Sequence, residues 1–219
     1  MTAEFGQMAL VLALLLAICL SVLPLLGAWR NDARLMATAS SLAIGLFVFA
    51  LAAFVTLASA FLANDFTIAY VANHSNLLLP WYYQLSGIWG GHEGSLLLWI
   101  LMLCGWMVAV VALSAPLSRP FRARVLAVMG MIAVGFLSFT IFTSNPFDRI
   151  LPGVPDGNDL NPLLQDPGMI FHPPLLYMGY VGFSVTFAFA IAALLGGRLD
   201  AAWARWSRPW AAVAWAFLT

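Results

Sequence analysis

Charge is the scarcest commodity in this chain: only 8% of its 219 residues are charged, and lysine is missing altogether. Soluble globular domains carry about a quarter charged residues, so a soluble domain is excluded. With 63% hydrophobic residues and a mean hydropathy of +0.95, the sequence reads as an integral membrane protein. Cysteine is also scarce. Cys19 and Cys104 both fall in apolar runs with no CxxC or Cys/His cluster around them, so they read as packing residues and not as a disulfide or metal pair. No basic residue precedes the first apolar run, where Glu4 stands instead, and this excludes a cleavable signal peptide there. The net charge is zero, which leaves no argument for nucleic acid as a partner.

What is abundant is long apolar segments. A helix needs about 20 residues to cross a hydrocarbon core of roughly 30 Å, and runs near residues 5–28, 38–62, 95–113, 125–142 and 169–195 qualify. A sixth begins near Trp210 and is about half the required length at Thr219, which reads as a fragment or as one half of a split protein. The fold class is therefore all-α, a polytopic transmembrane helical bundle with five spans and a truncated sixth, forming one membrane domain over residues 1–219 without a fixed-period repeat.

The charges that do occur are sorted. Eight of the nine arginines lie in three segments: Arg30 and Arg34; Arg119, Arg122 and Arg124; Arg198, Arg205 and Arg208. The intervening segments hold Glu4, Asp65, Glu93, Asp148, Asp156, Asp159 and Asp166, with Arg149 as their one cation. The positive-inside rule places the arginine segments in the cytoplasm and the N-terminus outside. Trp29, Trp203, Trp206 and Trp210 flank the arginines as interfacial aromatics do.

The outer segments, residues 63–94 and 143–168, are long and carry the unusual residues, including His74, His92 and His172. In the first, Pro80 opens a short surface helix with an apolar face, and Gly90, Gly91 and Gly94 break it before Ser95 caps the next span. The second is dominated by turn residues and reads as a solvated loop, its aspartates as solvation. They do not match the D-x-[DN]-x-[DN]-G calcium pattern.

Three groups could carry chemistry. His172 precedes Pro173 and Pro174, so regular helix is expected to begin near Pro174 and the ring to sit at a helix N-terminus, whose dipole favours the neutral, metal-binding form. Gly179 and Gly182 below it allow close approach of a flat macrocycle or of another helix. The bland alternative is a histidine hydrogen-bonded to a neighbouring carbonyl, against which stands the rule that ionisable groups at membrane depth mark function. Trp89-Gly90-Gly91-His92-Glu93-Gly94-Ser95 lacks the second histidine of HExxH and the Gly-Lys-Ser/Thr of a phosphate loop. It offers backbone N–H groups, an imidazole and a carboxylate at a helix mouth, fit to bind a carboxylate, relay protons or cap the helix. His74, between Asn73 and Ser75, reads as a solvated loop residue. Trp81, Tyr82, Tyr83 and Trp89 read as interfacial anchors able to stack on a planar ligand.

The strings GIWGGHEGSLLLW at 87–99 and DPGMIFHPPLLYMGY at 166–180 resemble the CcmF-type haem lyases of the multicomponent cytochrome c maturation pathway, with the NrfE-type lyases of nitrite reductase maturation as a close sibling. The likeness spans essentially the whole chain. It implies a multi-pass protein of the cell inner membrane, working on the periplasmic face to attach haem covalently to apocytochrome c. His172 matches the family's axial ligand to a resident haem b, with the partner histidine and a Trp-rich loop in a part not contained here. His92, Glu93 and Trp89 would be haem-proximal or structural, with quinol as a conceivable electron donor. Haem is also the substrate: a CcmE-type chaperone delivers it, the resident haem reduces it, and thiols of a CxxCH apocytochrome, presented with a CcmH-type subunit, add to its vinyl groups. The fragment alone is expected to be inactive. Two rivals from other classes are a transporter subunit using the glycine bend as a broken-helix site and an assembly subunit without cofactor.

Overall fold

The computed structural model describes residues 1–197 and 201–219, without the side chains of 201 and 202, so Arg198 lies outside the described residues. Among the described residues eight α-helices follow in order: α1 Thr2–Arg30, α2 Ala33–Leu62, α3 Ala69–His74, α4 Trp81–Gly87, α5 His92–Leu113, α6 Arg119–Thr143, α7 Pro167–Gly196 and α8 Ala201–Ala216. No strand occurs among the described residues beyond a single bridge between Ile68 and Arg149. Helices α1, α2, α5, α6 and α7 are each long and apolar enough to cross a membrane, as expected of the five runs.

Helices α1 and α2 form a tight hairpin. Asn31 takes the left-handed conformation at φ 56°, and the Asp32 carboxylate accepts from the Arg34 and Leu35 amides to start α2. Buried positions of α1 include Ala3, Gly6, Leu10, Ala13, Ala17 and Leu20; those of α2 include Ala39, Ala43, Leu46, Ala50, Ala53, Leu57 and Ala60. Both step by alternating threes and fours, the seven-residue spacing of coiled-coil seams. Alanine raises little hydropathy contrast against leucine-rich flanks, so this spacing is hidden from an amphipathicity scan. In lipid, which is as apolar as leucine, such small residues gain their energy from close packing instead of from water exclusion.

Helix α6 packs on α1, α2 and α5, and α7 packs on α5 and α6. Helix α8 returns along α7 and begins nine residues before the expected start at Trp210. Its buried positions Ser207 and Ala214, with half-buried Trp210 and Leu218, keep a helical stripe through Arg205 and Arg208, which interrupt hydropathy but not helix. Gly179 and Gly182 serve this helix: a Cβ at Gly179 would lie 2.5 Å from Leu218, and one at Gly182 would lie 2.8 Å from Ala214. Of the two partners open to those glycines, the structure supplies the helix.

At the end of the bundle that carries α3 and α4, the two loop segments interlock. The Ala69 amide donates to the Asp148 carbonyl at 2.8 Å, Ile150 to Thr67 at 2.9 Å and Asn158 to Ala72 at 2.7 Å. Arg149 bridges Glu4 at 2.6 Å and the Thr67 hydroxyl at 3.0 Å. Asp156 accepts from the Leu77 amide at 3.0 Å, and Asp159 accepts from the Asn76 side chain. The second segment is therefore a bonded cap and not merely a solvated loop, with Asp156 and Asp159 as ties across it.

Candidate functional site

The glycine bend sits in this cap, held from beneath by Tyr70 and His74 of α3. The Tyr70 hydroxyl donates to the Ile88 carbonyl at 2.8 Å and accepts the Gly91 amide at 3.0 Å. Burial pushes the phenol pKa well above its ordinary value, so the hydroxyl keeps the proton that this arrangement uses. His74 Nδ1 lies 2.9 Å from the Tyr70 carbonyl. A carbonyl can only accept, so Nδ1 is the donor. The two rings are 4.4 Å apart, and His74, half-buried, is a wedge under the bend instead of the solvated residue expected.

Why the bend needs glycine follows from distances. A Cβ on Gly91 would fall 2.5 Å from His74 Nε2, and one on Gly94 would fall 1.8 Å from the Ile88 carbonyl oxygen. Helix α5 starts at His92 with Gly91 as its N-cap. Ser95 was expected to cap this helix; its hydroxyl instead donates back to the Trp89 carbonyl at 3.0 Å, because the helix already begins three residues earlier. The bend does not interrupt a span, so the broken-helix geometry of a transporter site is not formed there.

His92 is exposed. Its Nδ1 lies 3.0 Å from the buried Ser144 hydroxyl just past α6, and the ring meets Phe139 edge-on at 5.8 Å. Glu93 is half-buried on the next position of α5. These contacts fix the helix mouth while leaving the far side of the His92 ring accessible.

His172 is not at a helix N-terminus, a correction to the sequence reading. Helix α7 begins at Pro167, with the Asp166 side chain accepting from the Gly168 amide at 2.7 Å. Proline at the first helical position fits without loss, and Pro173 and Pro174 are carried inside the helix. The ring therefore lies in the second turn, beyond the reach of most of the dipole effect. A proline inside a helix leaves the carbonyl four residues earlier without its donor; for Pro173 that carbonyl belongs to Met169. The Trp89 indole Nε1–H fills the vacancy, donating to the Met169 carbonyl at 3.2 Å. Trp89 is thus a structural tie, three residues before His92 at one end and three residues before His172 at the other.

The His172 side chain is exposed, between Phe171 and Leu175, both also exposed. No hydrogen bond to its ring occurs among the described residues, and no group of three or more His, Cys, Asp or Glu able to hold a metal ion occurs among them. A multi-ligand ion site is therefore not built here. A haem fits: it brings four of its own ligands and asks the protein for an axial nitrogen on an apolar face.

The match of residues 89–219 to the family of the Cytochrome C assembly protein covers more than half of the chain, and the chain belongs to that family. Along its whole length it is 65% identical to the Cytochrome c-type biogenesis protein CcmF of Pseudomonas aeruginosa, of which it covers 33%, aligning with the N-terminal third. It is 43% identical to the NrfE protein of Haemophilus influenzae, again over its whole length and 34% of that relative, so the likeness is nearer to CcmF. A solved structure of the Cytochrome c Heme Lyase CcmF superposes with a TM-score of 0.86 at 32% identity, covering all of this chain and 34% of that one. The chain spans about a third of the length of these relatives.

Proposed function

We propose that this chain is the N-terminal membrane part of a haem lyase that joins haem covalently to apocytochrome c, and that His172 gives one axial nitrogen to a resident haem b. The observation that supports this reading is the free, exposed imidazole of His172 on an apolar helix face in a chain of the cytochrome c assembly family. The second ligand belongs to the remaining two thirds of the length that the relatives have. When bound, this haem supplies a one-electron couple that reduces the haem to be attached.

The chain's own contributions are positional. Pro173 and Pro174 stiffen the turn behind His172, and Trp89 fastens that turn to the bend, so the ring keeps one heading. His92, with Ser144 behind it, and Glu93 line the same cap and serve as haem-proximal groups. A CcmE-type chaperone, a CcmH-type subunit carrying the apocytochrome, and a quinol donor approach this cap, which faces the periplasm in the inner membrane. Arginines at the opposite end support that orientation.

The test uses the full-length protein purified from membranes. The expected result is a low-spin b-type spectrum that His172→Ala abolishes and His92→Ala retains. An unchanged spectrum in His172→Ala overturns the ligand assignment.

A further inference from the structure

At the end away from the cap, a groove of about 560 Å³ runs along the bundle surface between α1, α6 and α7, walled by Val22, Leu25, Leu26, Met131 and Leu195. At its head stands Arg124, half-buried, with Trp29 exposed beside it. Arg124 also lines a second cavity of about 470 Å³, which adds the polar side chains of Asn31 and Ser118. One guanidinium thus joins an apolar trough along the spanning helices to a polar recess at the helix ends. The Arg124 Nη1 atom lies 3.0 Å from where a Cβ on Gly196 would stand, so this glycine leaves room for the guanidinium beside the last turn of α7.

We propose that these two cavities hold one anionic phospholipid, its phosphate on Arg124, its head group toward Asn31 and Ser118, and one acyl chain along Leu25 and Met131. The charge argument selects the occupant. A half-buried guanidinium fork matches a phosphate oxygen pair, and basic recesses between membrane helices take lipid head groups. The trough accepts a chain and would leave a free phosphate ion with nothing to fill it. The bound lipid would tie α1 to α6 and α7 where the Arg-rich loops meet the membrane.

The experiment is native mass spectrometry of full-length protein in detergent, with phosphatidylglycerol, phosphatidylcholine and inorganic phosphate added in separate arms. Expected is a phosphatidylglycerol adduct whose occupancy falls about fivefold or more in Arg124→Gln and in Leu25→Trp, which fills the trough without touching charge. Arg122→Gln, whose residue lines a different recess with Arg119, should retain it. Equal occupancy in wild type and both groove variants overturns the site. So does equal loss in Arg122→Gln, which would mean diffuse attraction to the basic surface. Protection by inorganic phosphate alone against delipidation would show a head-group site without the chain and overturn the lipid as occupant.

Discussion

Replacing Trp89 by phenylalanine removes the N–H that bonds the Met169 carbonyl, together with part of the ring surface. A neutral hydrogen bond contributes about 0.5–1.5 kcal/mol net, whereas a desolvated carbonyl left without a partner costs about 1–3 kcal/mol. Met169 is half-buried, so a loss of about 1–2 kcal/mol is expected, alongside a smaller packing loss from the missing pyrrole edge. The two parts separate because the carbonyl is needy only on account of Pro173. In Pro173→Ala the residue-173 amide can donate to Met169 along the helix, and the indole bond becomes redundant. Trp89→Phe should then cost only its packing part, giving a coupling of about 1 kcal/mol between two residues that act through one oxygen. The assay is a four-protein thermal denaturation series followed by far-UV circular dichroism on the full-length protein. Equal destabilisation by Trp89→Phe in both backgrounds would refute the account of Met169 as a proline-orphaned acceptor.

Three further outcomes are expected. Tyr70→Phe deletes the donor to Ile88 and the acceptor for Gly91 and should cost about 1–3 kcal/mol. The folded phenol has its pKa raised by burial above the ordinary 10.0, so its share of stability is whole below pH 10.0 and wanes as pH climbs beyond it; the variant should lose less stability than wild type above that pH, and parallel alkaline melting curves would contradict this. Gly94→Ala drives a methyl against the Ile88 carbonyl at 1.8 Å, forcing backbone movement worth about 1–3 kcal/mol or more; a wild-type melting temperature for that variant would disprove the bend geometry. Single cysteines at Leu163, 79% exposed in the cap, and at exposed Ala115 in the α5–α6 loop should react with an impermeant maleimide from the periplasmic and cytoplasmic sides respectively. The reversed pattern would invert the proposed topology.

The five spans were legible because length and hydropathy alone define a helix that crosses lipid, and charge sorting along the loops needs no coordinates. The start of α7 was not legible. Two rules of local chemistry compete there: the residue before proline avoids helix, yet Asp166-Pro167 makes a capped start six residues upstream of His172. The cap won, and with it the ring moved from the helix end into its second turn. His74 was misread for a related reason, since its polar neighbours Asn73 and Ser75 describe the loop and not the underside of a glycine bend 17 residues later. A signal existed in retrospect: two adjacent glycines at 90 and 91 imply that something bulky lies close to the backbone, and Tyr70 and His74 are four residues apart on one helix face.

The bond that joins the two singular strings of this sequence was in principle deducible, and its logic explains why both are needed together. Pro173 leaves an acceptor unpaired on a half-buried stretch of helix, where water reaches it only in part. The cheapest repair is a donor from a neighbouring element that itself cannot accept, and tryptophan is the side chain with one N–H and no lone pair to satisfy in return. Trp89 could supply it only if the chain between α4 and α5 turned sharply enough to bring the indole to α7, which is the work of Gly90, Gly91 and Gly94 on their Tyr70–His74 support. A glycine bend and a proline pair far apart in sequence are therefore two halves of one joint. The imidazole of His172, three residues beyond the joined carbonyl, takes its direction from that joint.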